Sequence, residues 1–312
     1  MRPGRETAVL TVAAIRRPQG EKAPRILFNE RQQIFTPTAA DPQVADLLAG
    51  ALESRQPVKA VLDPRRGMLQ RIADPSSTQL DEFERSRTLL EKPDRTVRVD
   101  VSSIDPTTFD VVDLHLKART FALCKRIVPT FKKAKEIFDF CAQQSCQLPG
   151  PTTVTPCIPF QYVIDGCYAR AHKMRKIITE EFGYCCEKVF SFAIDDDDEL
   201  AVKAGKWGGC CVTWWYHVAP LIRVRTKIFD LKLVLAMVID PGMFDHPVLL
   251  STWLMAQENK TCSPTAKVSK YSIQPGSAYT PANGQGSAFG TDPTYTLTDA
   301  TLNAYKNLTT CS

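Results

Sequence analysis

All eleven cysteines of this 312-residue chain lie between Cys124 and Cys311, all four tryptophans between Trp207 and Trp253, and all eight tyrosines between Tyr162 and Tyr305. Residues 1–120 contain none of the three types. So uneven a distribution calls for two modules, 1–120 and 124–312, and the length agrees with domains of about 150 residues. Charge does not separate them. The net charge of +5 is a weak balance spread along the chain, unlike the basic stripe of a phosphate-tracking protein, so nucleic acid is not an expected partner. The longest apolar runs, such as Leu231 to Ile239 with Lys232 inside it, fall short of the roughly 18 residues a membrane span needs, so no membrane partner is expected.

Cysteine at this density in the second module reads as chemistry for an oxidising compartment. An odd count leaves at least one thiol unpaired. The start, Met1-Arg-Pro-Gly-Arg-Glu6, carries no apolar run of signal type, and the chain is read as secreted with its signal peptide absent from this sequence.

The first module reads as a small α+β unit. Strands are expected at Val9–Ile15, Val58–Leu62 and Thr96–Val101. Helices are expected after the Asp41-Pro42 start, over Val44–Leu52, and from Ser77 to Leu90. With one histidine, His115, no cysteine and no glycine-rich phosphate loop, this module is not expected to be catalytic. The join, Leu114 to Pro129, is punctuated by Lys117, Arg119, Lys125 and Arg126. It reads either as a site for a trypsin-like protease or as a solvated linker leading into a helix through Phe131, Ala134, Ile137 and Phe138. An extended loop is expected from Gln147 to Pro159 and irregular surface from Gly276 to Thr294. Asn259-Lys-Thr and Asn307-Leu-Thr are glycosylation sequons that matter only in a host that glycosylates.

One cysteine differs in its setting. Asp165-Gly166 precedes a run of helix formers beginning at Cys167, with apolar positions at Ala171, Met174, Ile178 and Phe182 and a stop at Gly183. A thiol in the first helical turn faces unpaired backbone N–H groups and the positive end of the helix dipole, which favour thiolate. The same N–H groups can receive the oxygen of a tetrahedral intermediate. His217, in a β-rich stretch expected to end before Pro220, is the candidate base. Asp240, closing the buried strand Leu231–Ile239, is the candidate residue to orient it. The alternatives are a bridged Cys167, a His217 packed under two tryptophans and an Asp240 that caps a turn. His172, five positions on from Cys167 and about 140° around the helix, points away and reads as structural. Adjacent pairs such as Cys185-Cys186 and Cys210-Cys211 lack zinc-ligand spacing, so no metal and no cofactor is expected.

Pro156-Cys157, the block Val163-Ile-Asp-Gly-Cys-Tyr-Ala-Arg-Ala-His-Lys-Met174, Cys186-Glu-Lys, Cys210-Cys-Val-Thr-Trp-Trp-Tyr-His-Val-Ala219 and Ile239-Asp-Pro241 together resemble the bacterial secreted protein-glutaminases. The resemblance covers about residues 124 to 312 and is strongest between 156 and 245. It implies Cys167 as nucleophile, His217 as base and Asp240 as its orienting residue. The implied fold is α+β, a transglutaminase-core-like or papain-like cysteine hydrolase domain behind a small α+β prodomain. The implied activity is hydrolysis of glutamine side-chain amides in proteins or peptides, by a monomer made as a zymogen. Its own propeptide would cover the cleft, and an activating protease would cut the basic join. Expected disulfides are Cys146–Cys157 and Cys186 with Cys210 or Cys211; Cys124, Cys141 and Cys185 look additional to the family's pattern. A transglutaminase or cysteine protease with the same triad, or a non-catalytic disulfide-stabilised module, remains open.

Overall fold

The computed structural model describes residues 5–21, 23–38, 42–86, 88–89, 124–148, 152–228 and 231–311. In the front module, strands β1 (Glu6–Arg16), β2 (Arg25–Phe28), β3 (Thr36–Pro37), β4 (Pro57–Asp63) and β5 (Met68–Ala73) form one sheet in the order β2-β1-β4-β5-β3. Strand β4 alternates, sending Val58, Ala60 and Leu62 inward against Leu10, Val12, Leu69 and Ile72. Helix α1 (Pro42–Ser54) closes that core with Leu48 and Ala51. Helix α2 (Ser77–Ser86) is shorter than its sequence pattern predicts. Ser86 turns its hydroxyl back to the carbonyl of Phe83 at 2.7 Å, a local bond that competes with helix continuation. Beyond it β6 (Thr88–Leu89) pairs with a strand of the second module. The strand expected at Thr96–Val101, His115 and the join up to Leu123 lie outside the described residues.

The second module contains β7 (Ile127–Val128), α3 (Phe131–Gln143), α4 (Cys167–Glu180), β8 (Glu187–Phe192), β9 (Leu200–Lys203), β10 (Cys211–Trp214), β11 (Tyr216–Ile228), β12 (Leu231–Val238) and β13 (Val248–Leu249). After these come α5 (Leu250–Met255), β14 (Lys270–Gln274), β15 (Ala278–Pro281), β16 (Phe289–Thr291) and α6 (Thr296–Tyr305). The central sheet runs β13-β12-β11-β8-β14, with β7 also paired to β11. Its two faces are both covered. Phe190, Val218, Ile222, Val224 and Met237 join the core that includes α3 and α4. Val189, Ala219, Leu221, Ala236 and Val238 face the other core with Trp214 and Trp253. Burial on both sides explains why these strands read as near-continuous apolar runs rather than clean alternation.

Two expectations are corrected here. Strand β11 does not end before Pro220 but continues to Ile228. Pro220 pairs with Lys188, one position from the end of the β8 pairing at Glu187, and β7 then takes over beside Arg223. A missing N–H is tolerable where one neighbour strand gives way to another. The Gly276–Thr294 segment, expected to be irregular surface, holds β15 and β16 and buries Ala278, Tyr279 and Phe289. Phe289 packs on Phe190 and Phe192, and Tyr279 on Tyr168 and His172, tertiary contacts that composition does not reveal.

The disulfides are Cys124–Cys185, Cys146–Cys157, Cys210–Cys311 and Cys211–Cys262. Cys146–Cys157 is as expected. Cys186 is a buried free thiol rather than a partner of Cys210 or Cys211, because both of those are bridged to the C-terminal third. Mass mapping of denatured, unreduced protein should therefore find alkylated thiols only at Cys141, Cys167 and Cys186. Replacing Cys124 and Cys185 together by Ser should lower unfolding stability by about 2–4 kcal/mol in urea titration.

Candidate active site

Cys167 opens α4, and Gly166 before it adopts φ 80°. That torsion favours glycine, and space demands it too, since a Cβ there would sit 2.9 Å from Cδ2 of Tyr305. No side chain of the N-cap accepts from this helix, so the first amides need outside acceptors. The N–H of Cys167 donates to Oε1 of Gln32, a residue of the front module, at 2.8 Å. The Val218 N–H of strand β11 is near enough to the sulfur to favour its thiolate. Cys167 is free of any disulfide and almost fully buried.

His217 is the residue before Val218 on β11. Its Nε2 lies 2.9 Å from Oδ2 of Asp240, and the same oxygen accepts from the indole N–H of Trp253 at 2.9 Å. The imidazole is sandwiched, with Trp214 stacked at 4.5 Å and Trp253 at 5.3 Å between centroids. Burial pushes the Asp240 carboxyl up, but the His217 ring beside it and the two hydrogen bonds outweigh burial and hold it below the ordinary aspartate range. The contact between Nε2 and the Asp240 carboxylate sets the orientation of the ring. Nδ1 is buried and has no hydrogen-bond partner among the described residues.

Burial pushes the Cys167 thiol well above the ordinary value; Arg170 and the Val218 N–H oppose this, while Asp165 adds to it. Burial under the front module thus works against the thiolate that the helix terminus favours. The helix terminus acts instead as a hydrogen-bond donor. His172 is structural as expected: Nε2 is 3.0 Å from the Asp292 carbonyl and Nδ1 2.6 Å from Nζ of Lys188. Burial and the neighbouring Lys188 lower its pKa to about 2.

Gln32 sits at the tip of a turn between β2 and β3 and is completely buried. The turn is closed by paired backbone bonds between Ile26 and Phe35, at 2.7 and 3.0 Å. Its main chain is held on both sides: the N–H donates to Oδ1 of Asp165 at 3.1 Å, and the carbonyl accepts from the Trp215 N–H at 3.1 Å. The carbonyl of Arg31 accepts from the Trp215 indole at 2.6 Å. The Gln32 side-chain nitrogen faces the Val163 carbonyl at 3.4 Å, which also accepts from the Trp214 indole at 3.0 Å. Asp165 in turn accepts from the Tyr305 hydroxyl at 2.7 Å and has Nε of Arg31 3.4 Å away. Sequence reasoning quoted Asp165 without a role and missed Gln32, Trp253, Tyr305 and the Val163 carbonyl. A buried carboxylate before a helix-opening glycine was a usable signal for Asp165. Nothing local marks Gln32.

Residues 134–257 match the family model Gln_deamidase_2, described as glutaminase. Comparison with curated proteins finds no match. Among solved structures, protein-glutaminase from Chryseobacterium proteolyticum, an NMR structure, is 34% identical; the match covers 60% of this chain and 93% of that one, with a TM-score of 0.51. This chain belongs to the protein-glutaminase family. A crystal structure of pro-protein-glutaminase is 25% identical, with 99% of this chain and 95% of that one covered and a TM-score of 0.71. The likeness to the pro-form thus extends over the front module, whereas the likeness to protein-glutaminase alone is confined to 60% of the chain.

A carboxylate held below its unfolded pKa stabilises the fold above the ordinary aspartate range and loses that contribution as pH falls through its folded value. Asp240→Asn should accordingly cost about 1–3 kcal/mol in urea unfolding at neutral pH. The gap to the parent protein should narrow as both are titrated below the ordinary aspartate value of about 3.9; a gap constant with pH would contradict the assignment.

Proposed function

We propose that this chain is the proenzyme of a protein-glutaminase that hydrolyses the side-chain amide of peptide-bound glutamine to glutamate and ammonia. The observation that carries the reading is the docking of a glutamine carboxamide with its oxygen on the Cys167 N–H and its nitrogen facing the Val163 carbonyl. The oxygen is where an oxyanion would develop, and the donor that meets it is already aimed. The main-chain amides around Gln32 are held instead by Asp165 and Trp215. It is therefore the side chain, not a peptide bond, that meets the Cys167 N–H, which favours deamidation over proteolysis.

In this mechanism Cys167 attacks the carboxamide carbon while Nδ1 of His217 takes the thiol proton. The imidazolium, steadied by Asp240, passes that proton to the nitrogen, and ammonia leaves. Water activated by the same Nδ1 then resolves the thioester. Asp165 and the two Trp215 donors would hold the main chain of a substrate glutamine and the carbonyl before it, which accounts for a peptide-bound rather than a free substrate. Residues 1–120 act as an inhibitory prodomain, and a protease cutting between Leu114 and Pro129 would release the catalytic domain, 124–312. Its fold is read as transglutaminase-core-like, working as a monomer. Four disulfides support secretion into an oxidising compartment.

Ammonia release from a blocked glutamine peptide should be negligible for the intact chain and appear after limited proteolysis in the join. Equal activity before and after would remove the inhibitory role. Cys167→Ala and His217→Ala should each lower the rate of the processed enzyme by about 10⁴-fold or more. Intact-mass analysis of a protein substrate should show neither cross-linked nor shortened chains.

A further inference from the structure

Gln32 is placed as a substrate would be, not merely as a stopper. A residue that only blocks a thiol has no need to present a carboxamide, yet both ends of this one are matched: oxygen to a donor, nitrogen to an acceptor. That pattern also fixes which end is which, because the reverse orientation would set two donors and two acceptors against each other. The main chain on either side is clamped, so the group is held with little freedom. His217, next to Val218 on β11, keeps a buried ring nitrogen without a hydrogen-bond partner among the described residues.

We propose that Gln32 is the first substrate of the enzyme: within the uncut proenzyme Cys167 deamidates it in cis, and the glutamate so formed loosens the front module's hold on the cleft. This rests on the protein-glutaminase reading of the site. The Sγ–Cδ bond forms as the thiol proton moves to Nδ1 of His217. That proton then goes to the amide nitrogen, the C–N bond breaks and ammonia departs. Water adds to the thioester carbon and gives a proton to Nδ1; the C–S bond breaks and the sulfur recovers that proton. The sum is one glutamine and one water converted to one glutamate and one ammonia, with no change of oxidation state.

The product fits the site less well than the reactant. Where an N–H faced the Val163 carbonyl at 3.4 Å, a carboxylate oxygen would face it, acceptor against acceptor. The new charge would be fully buried near the Asp165 carboxylate, with the neighbouring Arg31 already engaged by Glu6 and Asp165. A buried acceptor left without a donor is costly, so a single turnover biases the proenzyme toward release.

The test is peptide mass mapping of residue 32 in the full-length proenzyme, incubated without protease, beside its Cys167→Ala variant and a Gln32→Asn variant. In the parent chain the peptide should gain about one dalton, as amide-to-acid conversion requires. It should stay unchanged in Cys167→Ala, and Gln32→Asn, one methylene short of the sulfur, should stay asparagine. In addition, the Gln32→Glu proenzyme should release its front module after cleavage of the join at least tenfold faster than the Cys167→Ala proenzyme, which keeps its glutamine. An unchanged Gln32 in a parent proenzyme whose cleaved form deamidates a blocked glutamine peptide would overturn the self-modification and leave the enzyme reading intact. Conversion in Cys167→Ala as well would mark it as spontaneous and overturn it too. A cleaved form inert on glutamine peptides would instead bring down the reading on which the proposal rests.

Discussion

A helix that begins at Cys167 without a capping side chain leaves its first amide hydrogen in want of an acceptor, and the structure satisfies it with the side-chain oxygen of Gln32. The rest of the site is arranged around that bond. Gly166 supplies the torsion that turns the chain into the helix, and Tyr305 packs where any larger residue at 166 would stand. Asp165 holds the main chain that carries the glutamine, and the Val163 carbonyl takes its amide nitrogen. Departure of the front module, as proposed above, would leave that amide donor unpaired and aimed at the space a substrate carboxamide needs.

Sheet geometry supplies the second half. His217 and Val218 are successive residues of β11; Val218 packs in the core with α4, and the His217 ring is held between Trp214 and Trp253. The pairing of β11 with β12, Leu221 opposite Val238, carries Asp240 back alongside His217. Trp253 stacks on the imidazole and donates to the carboxylate, so one side chain fixes both the plane of the ring and the charge that orients it. Residues 73 positions apart, Cys167 and Asp240, are thus linked through one strand and a pair of indoles.

Much of this was legible in the sequence where local rules and composition govern. The Asp-Gly-Cys start of a helix, the glycine stop at Gly183, the apolar run before Asp240 and the two-module division are read from neighbours in the chain, and helix α4 and strand β12 lie where those signals put them. What failed depended on partners distant in sequence. Pro220 looked like a strand end because the handover from β8 to β7 that excuses its missing N–H is a tertiary fact. The glycine- and serine-rich segment after Gly276 hid two strands because its few apolar residues are buried by distant partners, Phe289 by Phe190 and Phe192 and Tyr279 by Tyr168 and His172. Cys186 was assigned to bridges whose true partners, Cys262 and Cys311, lie far down the chain. Gln32 was invisible because a glutamine in a turn has no signature until the thiol beneath it is seen.

The claim on which all else depends is that the Cys167 thiol is sealed by the front module and uncovered when that module departs. The rate of Cys167 alkylation by iodoacetamide at neutral pH, followed by peptide mass in the intact chain and in the chain cut at the join and stripped of residues 1–120, measures this directly. Exposure of a fully buried thiol to reagent should raise the rate by about 100-fold or more, since reaction in the intact chain must wait for rare local opening. Equal rates in the two forms would mean that the sulfur is not where Gln32 covers it, and the site described here would have to be abandoned.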